Sequence, residues 1–331
     1  MRVKLYQPKT RIVAMTVLAV AAFAVAPLAQ VQSAAALNNS VNTLKITPVR
    51  SDIEIKPGAS KVVKTTVTNL TDQSVTVRPV ENDFIAGDEN GTPALILDAN
   101  KYAPTHSLKR FMAPLEDVTI PAKKAKTVSV KITVPSKAQA GGYFGAVRFE
   151  PSTLGDGGQV NLSASAASII LLTVPGNLVE KLDLTNFDVR QNDKAGWLFN
   201  NSKNIDVLAR FENKGNVQAA PFGKVSVKQG DKVVYAADFN QGNPRDMVLP
   251  DYARRWEIPL NKLGSFGHFT VSATFTYGTK NQTIDVTKSF WIIPVWVMIA
   301  ALVLIVLIIV IIGVIWYRLA HRHNSQKHRR R

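Results

Sequence analysis

The chain has 331 residues, 40 Lys/Arg against 24 Asp/Glu, a formal net charge of +16 and no cysteine. Lack of cysteine excludes a disulfide framework, a thiol nucleophile and a thiolate metal site. The positive charge points first to nucleic acid, a reading that its placement along the chain removes.

The first residues carry Arg2, Lys4, Lys9 and Arg11, followed by an apolar segment from Ile12 to Leu28 and the small residues "VQSAAA". That order predicts a secretory signal peptide over 1–36, cut between Ser33 and Ala36. Far downstream, "FWIIPVWVMIAALVLIVLIIVIIGVIWY" supplies an uncharged stretch over 292–317, longer than the ~20 residues that cross a bilayer core as a helix. Trp291, Trp296, Trp316 and Tyr317 lie near its ends, where amphipathic rings favour headgroups. The tail over 318–331 has Arg318, Arg322, Lys327, Arg329, Arg330 and Arg331 and no acid, which predicts a cytoplasmic tail and an extracellular bulk. His321, His323 and His328 sit in that tail as part of a solvated stop-transfer segment rather than a metal site. Setting aside four basic residues of the leader and six of the tail leaves 30 Lys/Arg against 24 Asp/Glu, an excess too small to argue for nucleic acid.

About 255 residues remain between leader and span, enough for two domains. Their periodicity is that of strands. In "TVSVKITV" Val128, Val130, Ile132 and Val134 alternate with polar residues, and in "HFTVSATFTYG" Phe269, Val271, Ala273, Phe275 and Tyr277 do the same. Turn signals separate the runs at Pro57-Gly58, "NLTDQS", Asn90-Gly91, "QGDK" and "YGTKN". The pattern predicts an all-β chain of two tandem immunoglobulin-like β-sandwiches, over 44–175 and 178–290, plus one C-terminal transmembrane helix. Besides the span, the only helical feature expected is a turn near Thr105 to Phe111. The Gly/Ser-rich "TLGDGGQVNLSASAAS" reads as a long loop between the last strands of the first sandwich.

The stretch "AQAGGYFGAVRFEP" invites a phosphate-loop reading, which needs a helix and Gly-Lys-Ser/Thr after the glycines. Instead Tyr143, Gly145, Val147 and Phe149 alternate with Phe144, Ala146, Arg148 and Glu150, the pattern of a strand. Gly141 and Gly142 are expected to serve a bend at its entry, and Gly145 a close approach by another group. Phe144 and Arg148 share the nominally outer face, an aromatic and basic pair able to stack on a sugar or a partner chain, and are the candidate binding residues.

No catalytic residue is singled out. The chain has no Gly-x-Ser-x-Gly, His-Glu-x-x-His, Gly-x-Gly-x-x-Gly or EF-hand pattern. Of the histidines only His106 and His268 lie in the exported part, and His268 opens a strand among threonines and serine. Glu81/Asp83 and Glu116/Asp117 are carboxylate pairs of the kind a sandwich displays routinely. Asp83, Asp88, Glu89 and Asn90 in "ENDFIAGDENG" read as a solvated acidic turn before a calcium loop. No cofactor and no metal are expected.

"ITPVRSDIEIKPGASKVVKTTVTNLTDQSVTVRPV" and "VTIPAKKAKTVSVKITVPSKAQAGGYFGAVRF" together resemble the peptidoglycan-binding domain of the WxL-interacting proteins, a bacterial surface family. Pro48, the Pro57-Gly58 turn, Asn69, the Asn90-Gly91 loop, Ile120 to Ala122, Pro135 and the Gly-Gly-Tyr-Phe-Gly-Ala strand carry the resemblance, over Ile46 to Glu150. It implies a non-enzymatic, membrane-anchored cell-surface protein whose partners are wall polymer or surface proteins, with a second β-domain, a span and a basic tail. No Trp-x-Leu motif occurs, which suits an interactor. "ITPVR" and "TNLTDQ" are also similar, more faintly, to the N-terminal sandwich of pilus chaperones, so strand addition at a sheet edge is a second mode of binding. A wall-modifying enzyme and an accessory subunit of a surface assembly are the alternatives.

Overall fold

The computed structural model describes residues 43–151 and 166–327. The expected signal peptide lies outside them, as does most of the Gly/Ser-rich stretch, whose last residues Ala166–Ser168 already belong to a strand. The strands form two pairs of facing sheets, each pair round its own core.

In the first pair, β1 (Leu44–Thr47), β3 (Ser60–Asn69) and β7 (Ala125–Thr133) make a three-stranded antiparallel sheet in that order. The facing sheet runs β2 (Arg50–Glu54), β9 (Ala166–Val174), β8 (Gly141–Pro151), β4 (Val75–Ala86) and β5 (Pro93–Leu95), with β6 (Val118–Ile120) also on β4. The chain leaves the first sheet at Pro48–Val49 and enters the second as β2, pairing in parallel with β9. This crossover, and a second parallel pairing noted below, stand out among otherwise antiparallel ladders. The alternation read in "TVSVKITV" is realised, for Val128, Val130, Ile132 and Val134 are all buried against Phe149, Ile170 and their neighbours. A short 3-10 turn, Lys109–Phe111, stands where the helical turn was expected.

The second pair has β11 (Lys194–Ala195), β10 (Leu182–Gln191), β13 (Ile205–Asn213) and β16 (Ala253–Pro259) in one sheet. Facing it are β12 (Leu198–Phe199), β18 (Gln282–Ile292), β17 (Gly267–Tyr277), β14 (Phe222–Gln229) and β15 (Lys232–Phe239), with β12 parallel to β18. Its core is aromatic: Phe275 meets Phe211 edge-on at 5.0 Å and Phe239 at 4.9 Å. Such perpendicular pairs set a positive ring edge against a negative face and are worth ~0.5–1.5 kcal/mol beyond burial.

Both sandwiches close a strand with a fully buried asparagine. Asn69, last in β3, donates from Nδ2 to the carbonyls of Gln73, Ile120 and Pro121 and accepts from the Thr71 amide. Asn213, last in β13, donates to the carbonyls of Val217 and Val248 at 2.8 and 2.9 Å and accepts from the Gly215 amide. A side-chain amide carries donors and acceptors at once, so it replaces the ladder where the backbone turns away inside the protein.

The sandwiches meet at the open end of β8. Gly141 has φ +150, and a Cβ there would lie 2.7 Å from the Asn216 carbonyl oxygen of the second sandwich, which accepts the Gly142 amide at 2.8 Å. These glycines therefore admit a neighbouring backbone rather than merely bending the strand. Gly145 has the expected role, since a Cβ there would crowd Met112 and Leu108. Glu89 clamps the junction from the other side, accepting from Arg210 Nε and Nη2 at 2.9 and 2.6 Å, while its carbonyl accepts the Arg255 amide. The Arg210 hydrogen bond holds the Glu89 carboxyl below its ordinary value.

At the C-terminal end, Phe290 and Ile292 are fully buried, so Ile292, expected as the first residue of the span, ends β18 instead. After Ile293 and Pro294, helix α1 (Val295–Lys327) begins. Its Val295–Arg318 part has 24 residues of mean hydropathy 3.6, none buried against the sandwiches. At 1.5 Å per residue it measures about 36 Å, enough to cross a hydrocarbon core.

Two outcomes follow from these contacts. Asn213→Ala strands the buried Val217 carbonyl and Gly215 amide, while the Val248 carbonyl keeps its bond from the Ala219 amide, and should lower stability by about 2–4 kcal/mol in urea unfolding; a change below about 0.5 kcal/mol would contradict the assignment. Glu89→Gln should loosen the junction, read as faster proteolysis of the connector near Gly176. A carboxyl with a depressed folded value contributes above its ordinary 4.5 and loses that contribution as pH falls through the folded value, so the difference from wild type should shrink at acid pH. With the Glu89 side chain 42% exposed, solvent keeps the effect small.

Candidate binding cleft between the two sandwiches

Strand parity in β8 places Phe144, Ala146, Arg148 and Glu150 on the sheet face away from the first core, as the alternation predicts. That face is not free at its upper end. Phe144 is only 3% exposed and packs with Phe84, Leu171 and Leu249, the last contributed by the second sandwich. Sequence periodicity places a residue on a face but cannot reveal that another sandwich covers it, so Phe144 does not stand at the surface as an open stacking platform. Its ring lies 6.0 Å from that of Phe84 and 5.8 Å from His106.

Arg148 follows two rows along. Its Nε donates to Asn82 Oδ1 at 3.2 Å, its Nη1 pairs with Glu150, and its side chain is 14% exposed. The structure thus puts Phe144 and Arg148 on one face without bringing them into contact with a common opening.

The opening lies above Phe144. Phe84, Ala86, Ile169 and Leu171 from the six-stranded sheet face Met247, Leu249 and Tyr252 from the second sandwich, around a space of about 190 Å³. Pockets for drug-sized ligands run from ~300 Å³, so this one admits a single residue-sized group, such as one sugar ring or one peptide side chain. The loop over 246–252 that forms its far wall is hung from Asn213, which bonds Val248 by its side chain and Asp251 and Tyr252 by its backbone.

Two guanidinium groups flank the space, each already neutralised. Arg50 binds Asp52 through Nε and Nη2 at 2.9 Å each and reaches across the junction to the Arg245 carbonyl. Arg254 pairs with Asp246 at 3.1 Å and donates to the Met247 carbonyl, but its buried Nε has no acceptor. An unpaired buried donor costs ~1–3 kcal/mol, and a ligand carbonyl would relieve it. Burial, helped by the Asp251 charge, pushes the Tyr252 phenol up, keeping it a neutral donor. The walls therefore suit an uncharged, amphipathic group better than a free anion.

The remaining candidates are structural. Asp83 is on β4, fully buried, and accepts from the amides of Ala103 and Lys109 and the Ser107 hydroxyl. It does not share a loop with Asp88, whose carboxyl is held low by the amide of Thr92 and, less strongly, that of Asn90. Glu89 is committed to Arg210. Among the described residues no three His, Asp or Glu side chains are placed to hold a metal ion. His106, at φ +57, donates from Nδ1 to the Gly142 carbonyl at 2.6 Å, with Nε2 3.8 Å from Asp251. It stiffens the junction beside the cleft. Reading the sequence missed Tyr252, Met247 and Arg254, whose only signal was a loop sequence, "DMVLPDYARRW", dense in apolar and aromatic residues for a turn.

A comparison with curated proteins finds no match. Among solved structures, the chaperone–tip adhesin complex of CFA/I fimbriae is similar at 14% identity and a TM-score of 0.38, over 74% of this chain and 98% of that one. The Pseudomonas aeruginosa CupB2 chaperone is similar at 9% identity and 0.31, over 74% and 99%, and the E. coli chaperone DraB at 15% and 0.30, over 76% and 96%. Residues 51–151, which contribute Phe84, Phe144, Arg148 and one wall of the cleft, match the family profile described as WxL Interacting Protein, peptidoglycan binding domain.

Proposed function

We propose that the chain is a non-catalytic binding protein of the bacterial surface, anchored by α1, that holds peptidoglycan or an associated wall polymer in the cleft between its sandwiches. The match of residues 51–151 to a peptidoglycan-binding profile carries this reading. The geometry supports it in one respect: the cleft is sized for one unit of a polymer, and past Arg148 the same sheet face carries the part-exposed side chains of Glu150 and Arg78, a path for the next unit. In this reading Tyr252 and Arg254 supply polar contacts, Phe84 and Leu171 an apolar floor stiffened by Phe144 beneath, and Arg148 a second contact. The two sandwiches, 44–175 and 178 to Ile292, act as modules, with the second nearest the membrane, the bulk outside the cell and the basic tail inside.

The test is co-sedimentation of the full-length protein, in mild detergent, with insoluble cell-wall sacculi. Saturable pelleting that resists high salt and weakens about tenfold, ~1.4 kcal/mol, in Tyr252→Ala would support the cleft. Arg148→Ala should weaken pelleting by a smaller factor. Salt-labile pelleting that neither substitution changes would sink it.

A further inference from the structure

Besides the cleft, the second sandwich carries a feature that wall binding does not use. Outside α1, the exposed tryptophans and phenylalanines among the described residues are three: Trp197 at 67%, Phe266 at 52% and Trp291 at 40%. All three lie at one end of this sandwich, together with exposed Leu198. They come from separate segments. Trp197 sits on the crossing between β11 and β12 and Leu198 opens β12, Phe266 is on the loop before β17, and Trp291 is at the end of β18. Backbone bonds tie the Trp197 and Trp291 segments, the Trp291 amide donating to the Trp197 carbonyl at 2.7 Å and Ile293 to Phe199 at 2.8 Å, while the Gln229 side chain of β14 holds the Phe266 carbonyl at 3.0 Å. Gly267 stands opposite Ile292 in the sheet, so Phe266 is next to the point where the chain departs for α1.

That departure decides what the rim meets. Only Ile293 and Pro294 separate β18 from the apolar helix, and Trp296, 70% exposed, opens its first turn. A connector of two residues spans at most about 7 Å, so a helix in the bilayer holds this end of the sandwich at headgroup level. Trp and Phe rings with one apolar body gain there what they lose in water. Charge is a weak attraction at most: Arg190, Lys194, Lys203, Lys232 and Lys262 at this end stand against Asp193, Asp206, Asp231 and Glu257, five cations to four acids, with Arg190 engaging Asp206 and Glu257.

From this arrangement we infer that Trp197, Leu198, Phe266 and Trp291 form a lipid-contacting rim that seats the second sandwich in the headgroup region and fixes its tilt. The inference rests on the membrane-anchored reading of α1. Because the chain has no cysteine, one introduced residue labels a single place. Full-length Ser265→Cys, carrying an environment-sensitive fluorophore, would be reconstituted in phosphatidylcholine/phosphatidylglycerol vesicles with shallow or deep nitroxide lipids. Val303→Cys in the helix and Lys61→Cys on the first sandwich serve as references. The rim predicts a blue shift and quenching by shallow nitroxides at position 265, unchanged in high salt, abolished when Trp197→Ser and Phe266→Ser are combined, and absent at position 61. Quenching at 303 without quenching at 265 would overturn the rim and leave the anchor standing. Quenching at neither position would overturn both.

Discussion

The architecture depends on one close approach: the backbone of Asn216 lying against Gly141 and Gly142 at the entry of β8. A side chain at either glycine would hold the sandwiches apart. With none there, the second sandwich settles on the outer face of the six-stranded sheet, Leu249 reaches Phe144 and Leu171, and an ordinary sheet surface becomes the wall of a cleft. Glu89 and Arg210 fix the same contact from the opposite edge, and Arg50 bridges it through the Arg245 carbonyl. Several polar contacts and one small apolar cluster thus set the angle between two otherwise self-sufficient cores.

Buried asparagines solve a recurring problem in this chain. Where β3 and β13 end, the backbone must turn inside the protein, and its carbonyls need donors that no neighbouring strand provides. Asn69 and Asn213 supply them in nearly the same way, four residues spanning each turn from Asn to the carbonyl it binds. In the second sandwich the device has an added consequence, because Asn213 also suspends the loop that carries Tyr252 and Leu249. Folding of that sandwich and shaping of the cleft are therefore one event.

The two ends of the second sandwich face different surroundings. Its upper end is polar and glycine-containing where it meets the first sandwich; its lower end shows tryptophan and phenylalanine beside the helix. That polarity, together with the two-residue connector, would give the cleft a defined height and direction relative to a membrane, as the proposed wall-binding function requires.

Strand composition, alternation and turn residues were enough to read an all-β chain and an apolar C-terminal segment, because period-2 burial and long apolar runs are local properties. Val128 to Val134 and Phe269 to Tyr277 bury the residues that alternation named. Local pattern was also enough to put Phe144 and Arg148 on one face. Whether that face was wet was decided by tertiary structure, since the residues covering Phe144 come from about a hundred positions away. For the same reason "ENDFIAGDENG" resolved into a buried strand carboxylate and a junction clamp, Asp83 and Glu89, where sequence showed only an acidic turn. Ile292, placed at the start of the span, instead ends β18, because its burial against β17 and β12 overrides its hydropathy, a competition between core and membrane that only the folded chain could decide.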